Sequence, residues 1–447
     1  MADWVHRLSG GIRHLSIASV FAKSFGLINA SVLFIYLTRH DYGMLALAFS
    51  LFGVTNFLSG LAQGELVVSR FSQSRGAADL REGETLLRSF YLLSILSSIA
   101  VTAMAWVVTS WSGKLAVVPA STLGTGLICV LLTPLRNMTY VHFQSRESFD
   151  RIRRFEIAQN VIQTSGYVLF IFAFGLGLTG ALMAYALSRA LPPCIGGRFL
   201  ARDLWESIRS PSLQPMFALI TGEGKWLAAR WGVVTAEGSA RPWLILLLLG
   251  TEAVALFEAA KTVIGMSNDV VPMKQVLLPM MSRSTSEPRE LKSLYERASR
   301  YGAWLYGIGG IAVILLSPLV FTYIFPKYRE SIPLMQIMAA NLFVVGFSVP
   351  QTPIFFALGQ QRFLLVTATL GFSFLFALGI PAMLTLGITG MALAFVASGA
   401  ILVMVRYRYL CRLRPEMAIE WKTLFRYDKE DGRFLSGLIF GFRNKPT

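Results

Sequence analysis

GLTGALMAYALS, residues Gly177–Ser188, returns as GITGMALAFVAS at Gly387–Ser398, 210 residues later. A second pair, ETLLRSFYLLSILSSIAV at Glu84–Val101 and ERASRYGAWLYGIGGIAV at Glu296–Val313, is offset by 212. Five of twelve positions agree in the first pair and six of eighteen in the second. Apolar agreements arise readily in an apolar chain, so the polar anchors Gly-x-Thr-Gly and Glu-x-x-x-Arg carry the weight. A repeat this long in a membrane chain predicts two homologous helix bundles with a substrate path between them.

The membrane assignment follows from composition. The chain is 54% hydrophobic and 15% charged, with mean hydropathy +0.56; soluble domains carry about a quarter charged residues. Apolar windows near the length that spans a bilayer fall at about 15–37, 43–66, 89–111, 116–141, 156–176, 180–197, 216–249, 254–280, 301–325, 331–358, 363–385 and 390–408. These twelve windows predict an all-α integral membrane protein of two six-helix bundles. An even number per half makes the repeat parallel. The expected organisation is a bundle over 1–205, a linker over 206–215, a bundle over 216–410 and a tail over 411–447. The first window has no small-residue cleavage site after it, so it reads as a retained helix.

Placing the N-terminus in the cytoplasm leaves only Arg39, Lys114, Lys327 and Arg329 of the 41 Lys and Arg on the opposite side. That asymmetry obeys the positive-inside rule and puts both termini in the cytoplasm. The net charge of +16 is then a topology signal and not a nucleic-acid footprint. Cys129, Cys194 and Cys411 form no disulfide framework, and His6, His14, His40 and His142 are scattered, so neither a metal nor a cofactor is expected. Outer-side loops are too short to carry catalytic residues, which argues against an enzyme. RFSQSRGAADLREGETLLR and SRSTSEPRELKSLYERASR read as short amphipathic helices at the headgroups.

Charges inside apolar windows need a partner or a water-filled cavity. In the seventh window Glu223, Arg230, Glu237 and Arg241 share one helical face, and Pro242 should bend the helix there. Glu237 precedes Arg241 by one turn, the favourable acid-first order. In the eighth, Glu258, Lys261 and Asp269 form a second stripe. Lys23 and Asn29 lie on the first window, and Asn56, Ser59 and Gln63 on one face of the second. Arg136 stands beside Pro134, and Arg189 reads as reaching for the headgroups. These stripes either line a cavity or zip helices together; the cost of burying charge in lipid favours the cavity. Four cations (Lys23, Arg230, Arg241, Lys261) balance four acids (Glu223, Glu237, Glu258, Asp269), which suits bases holding a phosphate beside carboxylates that pair or take a proton.

AKSFGLINASVLFIYLTRHDYGMLALAFSLFG, with Leu37 followed by Asp41-Tyr42-Gly43, resembles the opening of Wzx-like polysaccharide flippases of the multidrug/oligosaccharidyl-lipid/polysaccharide (MOP) exporter superfamily. Val276–Arg283, VLLPMMSR, is similar to that family's Leu-Pro-x-x-Ser-Arg exit. Gly250–Phe257 resembles its Leu-Gly to Gly-x-Tyr start, with Ala255 and Phe257 replacing Gly and Tyr. Arg241 departs from the pattern, standing where such flippases often carry an acid. The resemblance implies a MATE-like fold in a bacterial plasma membrane. It implies transfer of undecaprenyl-pyrophosphate-linked oligosaccharide, an O-antigen or exopolysaccharide unit, to the outer leaflet by alternating access. Lys23, Arg230, Arg241 and Lys261 would hold the pyrophosphate or sugar acids, and Glu258 and Asp269 would couple to protons, with sodium the other candidate ion. Membrane lipids and a polysaccharide polymerase or assembly protein are the expected partners. The rival readings are a drug/cation antiporter of the same superfamily, a membrane enzyme of polysaccharide assembly, and a scaffold.

Overall fold

The computed structural model describes residues 24–58, 63–64, 67–68, 70–71, 80–111, 120–146, 149–195, 197–209, 212–268, 273, 277, 281 and 287–419. Every regular element among them is helical. In chain order these are α1 (Ser24–Tyr36), α2 (Arg39–Leu58), α3 (Leu80–Trp111), α4 (Ala120–Ser145), α5 (Phe149–Tyr167), α6 (Gly177–Ile195), α7 (Gly197–Arg209) and α8 (Gln214–Leu219). There follow α9 (Lys225–Leu249), α10 (Thr251–Asn268), α11 (Pro288–Leu319), α12 (Ser331–Ser348), α13 (Gln351–Ala357), α14 (Gln361–Leu386) and α15 (Ile388–Leu413). Each of the twelve windows overlaps a helix, and seven of the described helical segments are long and apolar enough to cross a membrane.

The chain divides into two compact units, one of Phe25–Ala255 and one of Met1–Ser24 with Leu256–Thr447. The segment 206–215 thus lies inside the first unit, and α9 belongs with the helices before it. The reason is a polar seam between α9 and α2: Ser239 Oγ donates to the Ser50 carbonyl at 2.8 Å, and Trp243 Nε1 to Ser50 Oγ at 3.0 Å. Of the tail, α15 runs on to Leu413 and a single 3-10 turn follows at Pro415–Met417; 420–447 lie outside the described residues.

The repeat is visible in the packing of each unit. In the first, α3 packs on α4, α4 on α6 and α5 on α6; in the second, α11 packs on α12, α12 on α15 and α14 on α15. The Gly-x-Thr-Gly anchors do the same job twice. Gly177 and Gly387 take φ of +49° and +60° immediately before the helix turns inward, a region that favours glycine. Three residues on, a Cβ at Gly180 would sit 2.9 Å from the Phe170 carbonyl, and one at Gly390 would run into the Ala382 backbone. Gly390→Ala is therefore expected to cost about 1–3 kcal/mol, read as a lower unfolding temperature of the detergent-purified protein; an unchanged temperature would mean that the hairpin relaxes freely.

The Asp-Tyr-Gly turn is also scaffolding. Thr38 Oγ1 accepts the Asp41 N–H at 3.1 Å and donates to the Asp41 carboxylate at 2.7 Å, a reciprocal N-cap. Tyr42 packs edge-on to Phe34 at 5.1 Å, and Gly43 leaves room for the Thr251 carbonyl.

Two local expectations change. In the two charged linkers, the described residues from Leu80 and from Pro288 run without a break into the long helices α3 and α11. The amphipathic helix is instead α7, whose Glu206 meets Arg88 and Arg202 and whose Asp203 meets Arg146 at 3.0 Å. Burial holds the Asp203 carboxyl above its usual range against the pull of Arg146 and Arg88. Pro242 lies inside an uninterrupted α9. The bend falls earlier, in the π-helical turn Ile220–Gly224, where Gly222 takes ψ −113°. Glycine, lacking a Cβ, adopts that ψ readily, which lets the helix kink there. A separate break falls at Val349 and Pro350, between α12 and α13.

Candidate functional site

On α9, Arg241 is 4% exposed and donates to Glu237 Oε1 at 2.6 Å. The pair is intrahelical, one turn apart, and sits where Ser239 and Trp243 dock on α2. Arg230, two turns before Glu237, is half-buried with its guanidinium 5.7 Å from the Trp231 ring centre. Glu223 lies in the π-helical turn that opens the helix. Gln63, fully buried, donates from Nε2 to the Gly224 carbonyl at 3.4 Å and so touches the end of that turn. In the second unit, Lys261 Nζ donates to both Glu258 oxygens at 2.9 and 3.0 Å, again within one helix. Lys23, Ser59 and Asp269 lie outside the described residues.

Two of the four expected cations are thus held by a carboxylate of their own helix. An arginine already neutralised at 2.6 Å is a weak starting point for an incoming phosphate, because the phosphate must displace a charge-assisted bond. The stripe on α9 is in this state as much packing as lining.

The first unit holds a second polar interior, in which Asn29, Asn56, Arg136 and Arg189 meet partners that the periodicity did not supply. Asn29 Oδ1 accepts from Thr164 Oγ1 at 2.7 Å, tying α1 to α5. Asn56 on α2 meets Asn137 on α4. Arg136 Nε donates to Gln159 Oε1 on α5 at 2.9 Å. Arg189 does not extend toward the headgroups; its guanidinium folds over the Tyr185 ring, 4.6 Å from the centre. Tyr185 in turn stacks on Phe52 at 5.5 Å and leans on Phe49 at 5.0 Å. Arg136 lies within electrostatic reach of both Arg189 and Glu156. Four helices, α2, α4, α5 and α6, therefore contribute to one basic, amide-rich patch. Its sequence signal was available but weak. Glu156 and Gln159 share a face of α5 at a spacing of three, opposite a lone arginine on a helix more than twenty residues earlier.

Among the described residues no three His, Cys, Asp or Glu side chains are placed to hold a metal. The described interior therefore offers ion pairs, amides and guanidinium groups, which bind anions and hydroxyls.

A model of the polysaccharide biosynthesis protein family matches residues 32–325, more than half of the chain. The protein belongs to that family. No curated protein matches its sequence. The fold of this polysaccharide biosynthesis protein is that of the MOP exporters. It resembles a multidrug resistance MATE family transporter of the MOP superfamily in its inward-facing conformation, with TM-score 0.72 and 15% identity, covering 89% of this chain and 98% of that one. Against the outward-facing conformation of such a transporter the TM-score is 0.66 at 17% identity, covering 92% and 97%. It is also similar to a MOP superfamily transporter from Pyrococcus furiosus whose reversed binding-pocket polarity suggests a different function. There the TM-score is 0.68 and the identity 15%, covering 93% and 99%.

Proposed function

We propose that this polysaccharide biosynthesis protein is a flippase. It moves undecaprenyl-pyrophosphate-linked oligosaccharide, an O-antigen or exopolysaccharide repeat unit, from the inner to the outer leaflet of a bacterial plasma membrane by alternating access. The observation that carries the reading is a family match to polysaccharide biosynthesis on a chain with the complete fold of a MOP transporter. The substrate's diphosphate calls for interior cations, and the basic side chains of α4, α6, α9 and α10 supply them. The chemistry is transport rather than bond-making, with both termini cytoplasmic and a polymerase or assembly protein receiving the product. Glu258, held by Lys261, and Asp269 are the proposed coupling acids, taking protons or giving way to sodium. The four cations read from the sequence, Lys23, Arg230, Arg241 and Lys261, remain the proposed substrate contacts of the α1, α9 and α10 segments.

A drug/cation antiporter is the second reading, favoured by the likeness to multidrug MATE transporters. The basic interior speaks against a cationic cargo. The Pyrococcus transporter, in which reversed pocket polarity goes with a different function, gives that argument a parallel.

Deletion separates the two. Loss of surface glycan, with lipid-linked glycan stalled on the inner leaflet, is the expected result. Intact surface glycan together with raised drug sensitivity would replace the flippase by the antiporter.

A further inference from the structure

We propose that Arg136 on α4, held by Gln159 on α5, and Arg189 on α6 form a diphosphate-binding subsite inside the first unit. The subsite takes the lipid-linked substrate as it enters. This rests on the flippase reading and adds to it a place that the charge stripes of α9 and α10 do not include.

The unmet donors are the starting point. A guanidinium carries five N–H donors. Among the described residues, Arg136 spends one of them, on a neutral amide oxygen at 2.9 Å. Arg189 spends none on a protein acceptor: its contact is the Tyr185 ring, and its Nε is buried without a hydrogen-bond partner. A buried, unpaired donor on a charged group is costly and calls for an acceptor. The carboxylate within reach of Arg136, Glu156, makes no ion pair of 4.0 Å or less with it, so neither guanidinium is neutralised by a contact carboxylate among the described residues. The fork of a guanidinium matches phosphate oxygens in pairs, and two forks on two helices match a diphosphate.

Preorganisation is built in. Phe49 and Phe52 hold Tyr185, Tyr185 holds the Arg189 plane, and Gln159 holds Arg136. The residue after Arg136 is Asn137, whose amide meets Asn56; these amides would face the sugar that follows the diphosphate.

Depth agrees with loading from a leaflet. At 1.5 Å per residue, Arg136 lies about 7 Å inside the end of the window 116–141, and Gln159 about 5 Å inside the start of 156–176. Arg189 lies about 12 Å inside the end of 180–197. All three are at the end of the bundle where α4 connects to α5, the cytoplasmic end in the proposed topology. A lipid diphosphate sliding sideways out of that leaflet's headgroup layer would meet this level first.

The test uses the full chain purified in detergent, with farnesyl diphosphate as probe and farnesol and inorganic pyrophosphate as comparisons. Arg136→Gln and Arg189→Gln should each weaken farnesyl diphosphate binding about tenfold or more and leave farnesol partition unchanged. Glu156→Gln should tighten diphosphate binding, because it removes the competing carboxylate. Should a glutamine variant fail to fold, Arg189→Lys, which keeps the charge and loses the fork, should still show an intermediate loss. Equal diphosphate binding by wild type and all these variants overturns the subsite. Inorganic pyrophosphate binding as tightly as farnesyl diphosphate overturns the lipid source. If deletion stops glycan export but both arginine variants restore it fully, the subsite fails and the flippase stands. If deletion leaves export intact, the flippase reading fails and the subsite's role with it.

Discussion

Arg241→Glu is expected to remove folded protein from the membrane. Arg241 is 4% exposed and holds Glu237 at 2.6 Å in the segment that docks on α2 through Ser239 and Trp243. Reversal leaves two carboxylates one turn apart with no cation between them, and breaking a buried pair costs about 3–5 kcal/mol. Against a typical folding stability of about 5–15 kcal/mol, that loss is large. Removing both charges, in Glu237→Gln with Arg241→Gln, should restore folding, because the buried pair contributes little net stability once neither charge must be desolvated. The measurement is the monodisperse fraction of a fluorescent fusion in detergent. A well-folded Arg241→Glu protein that no longer exports glycan would overturn the folding role and leave the proposed substrate contact as its function.

Gly346→Leu is expected to open the second unit. Here α11 and α12 cross backbone to backbone: a Cβ at Gly346 would lie 2.8 Å from the Gly302 carbonyl and 3.0 Å from Ala303 Cα. No flexible side-chain tip is there to move aside, so the helices must separate. Small residues supply much of the helix contact in lipid, where no hydrophobic effect draws helices together. Overpacking of this kind costs about 3 kcal/mol, and the unfolding temperature in detergent should fall accordingly. Gly309→Ala, on the same α11 but facing open space, is the control and should leave stability unchanged or raise it. A wild-type unfolding temperature for Gly346→Leu would mean that the two helices do not meet this closely in the membrane.

The fold was legible because its signals are local or periodic. Apolar windows mark helices, and Gly-x-Thr-Gly marks a positive φ followed by a close backbone approach, constraints that few residues other than glycine meet. Glu237 to Arg241 was readable because both sit on one helix, where spacing alone sets the geometry. Spacing puts Gln63 and Asn56 on one helical face, but their partners, Gly224 and Asn137, lie 161 and 81 residues away. Periodicity within a helix says which residues share a face; it does not say which face of which other helix they meet.

By itself the sequence determined an all-helical membrane chain, its internal repeat and its likeness to polysaccharide exporters, because lipid enforces helices and a repeat leaves its anchors in place. Only the tertiary structure decided how those helices sort. It put α9 with the first unit, through Ser50, Ser239 and Trp243. It brought Arg136, Gln159 and Arg189 together from three helices that the sequence keeps apart. The physical reason is that burying a charge is costly in any arrangement, but which partner relieves the cost depends on contacts across helices, and these exist only once the bundle has formed.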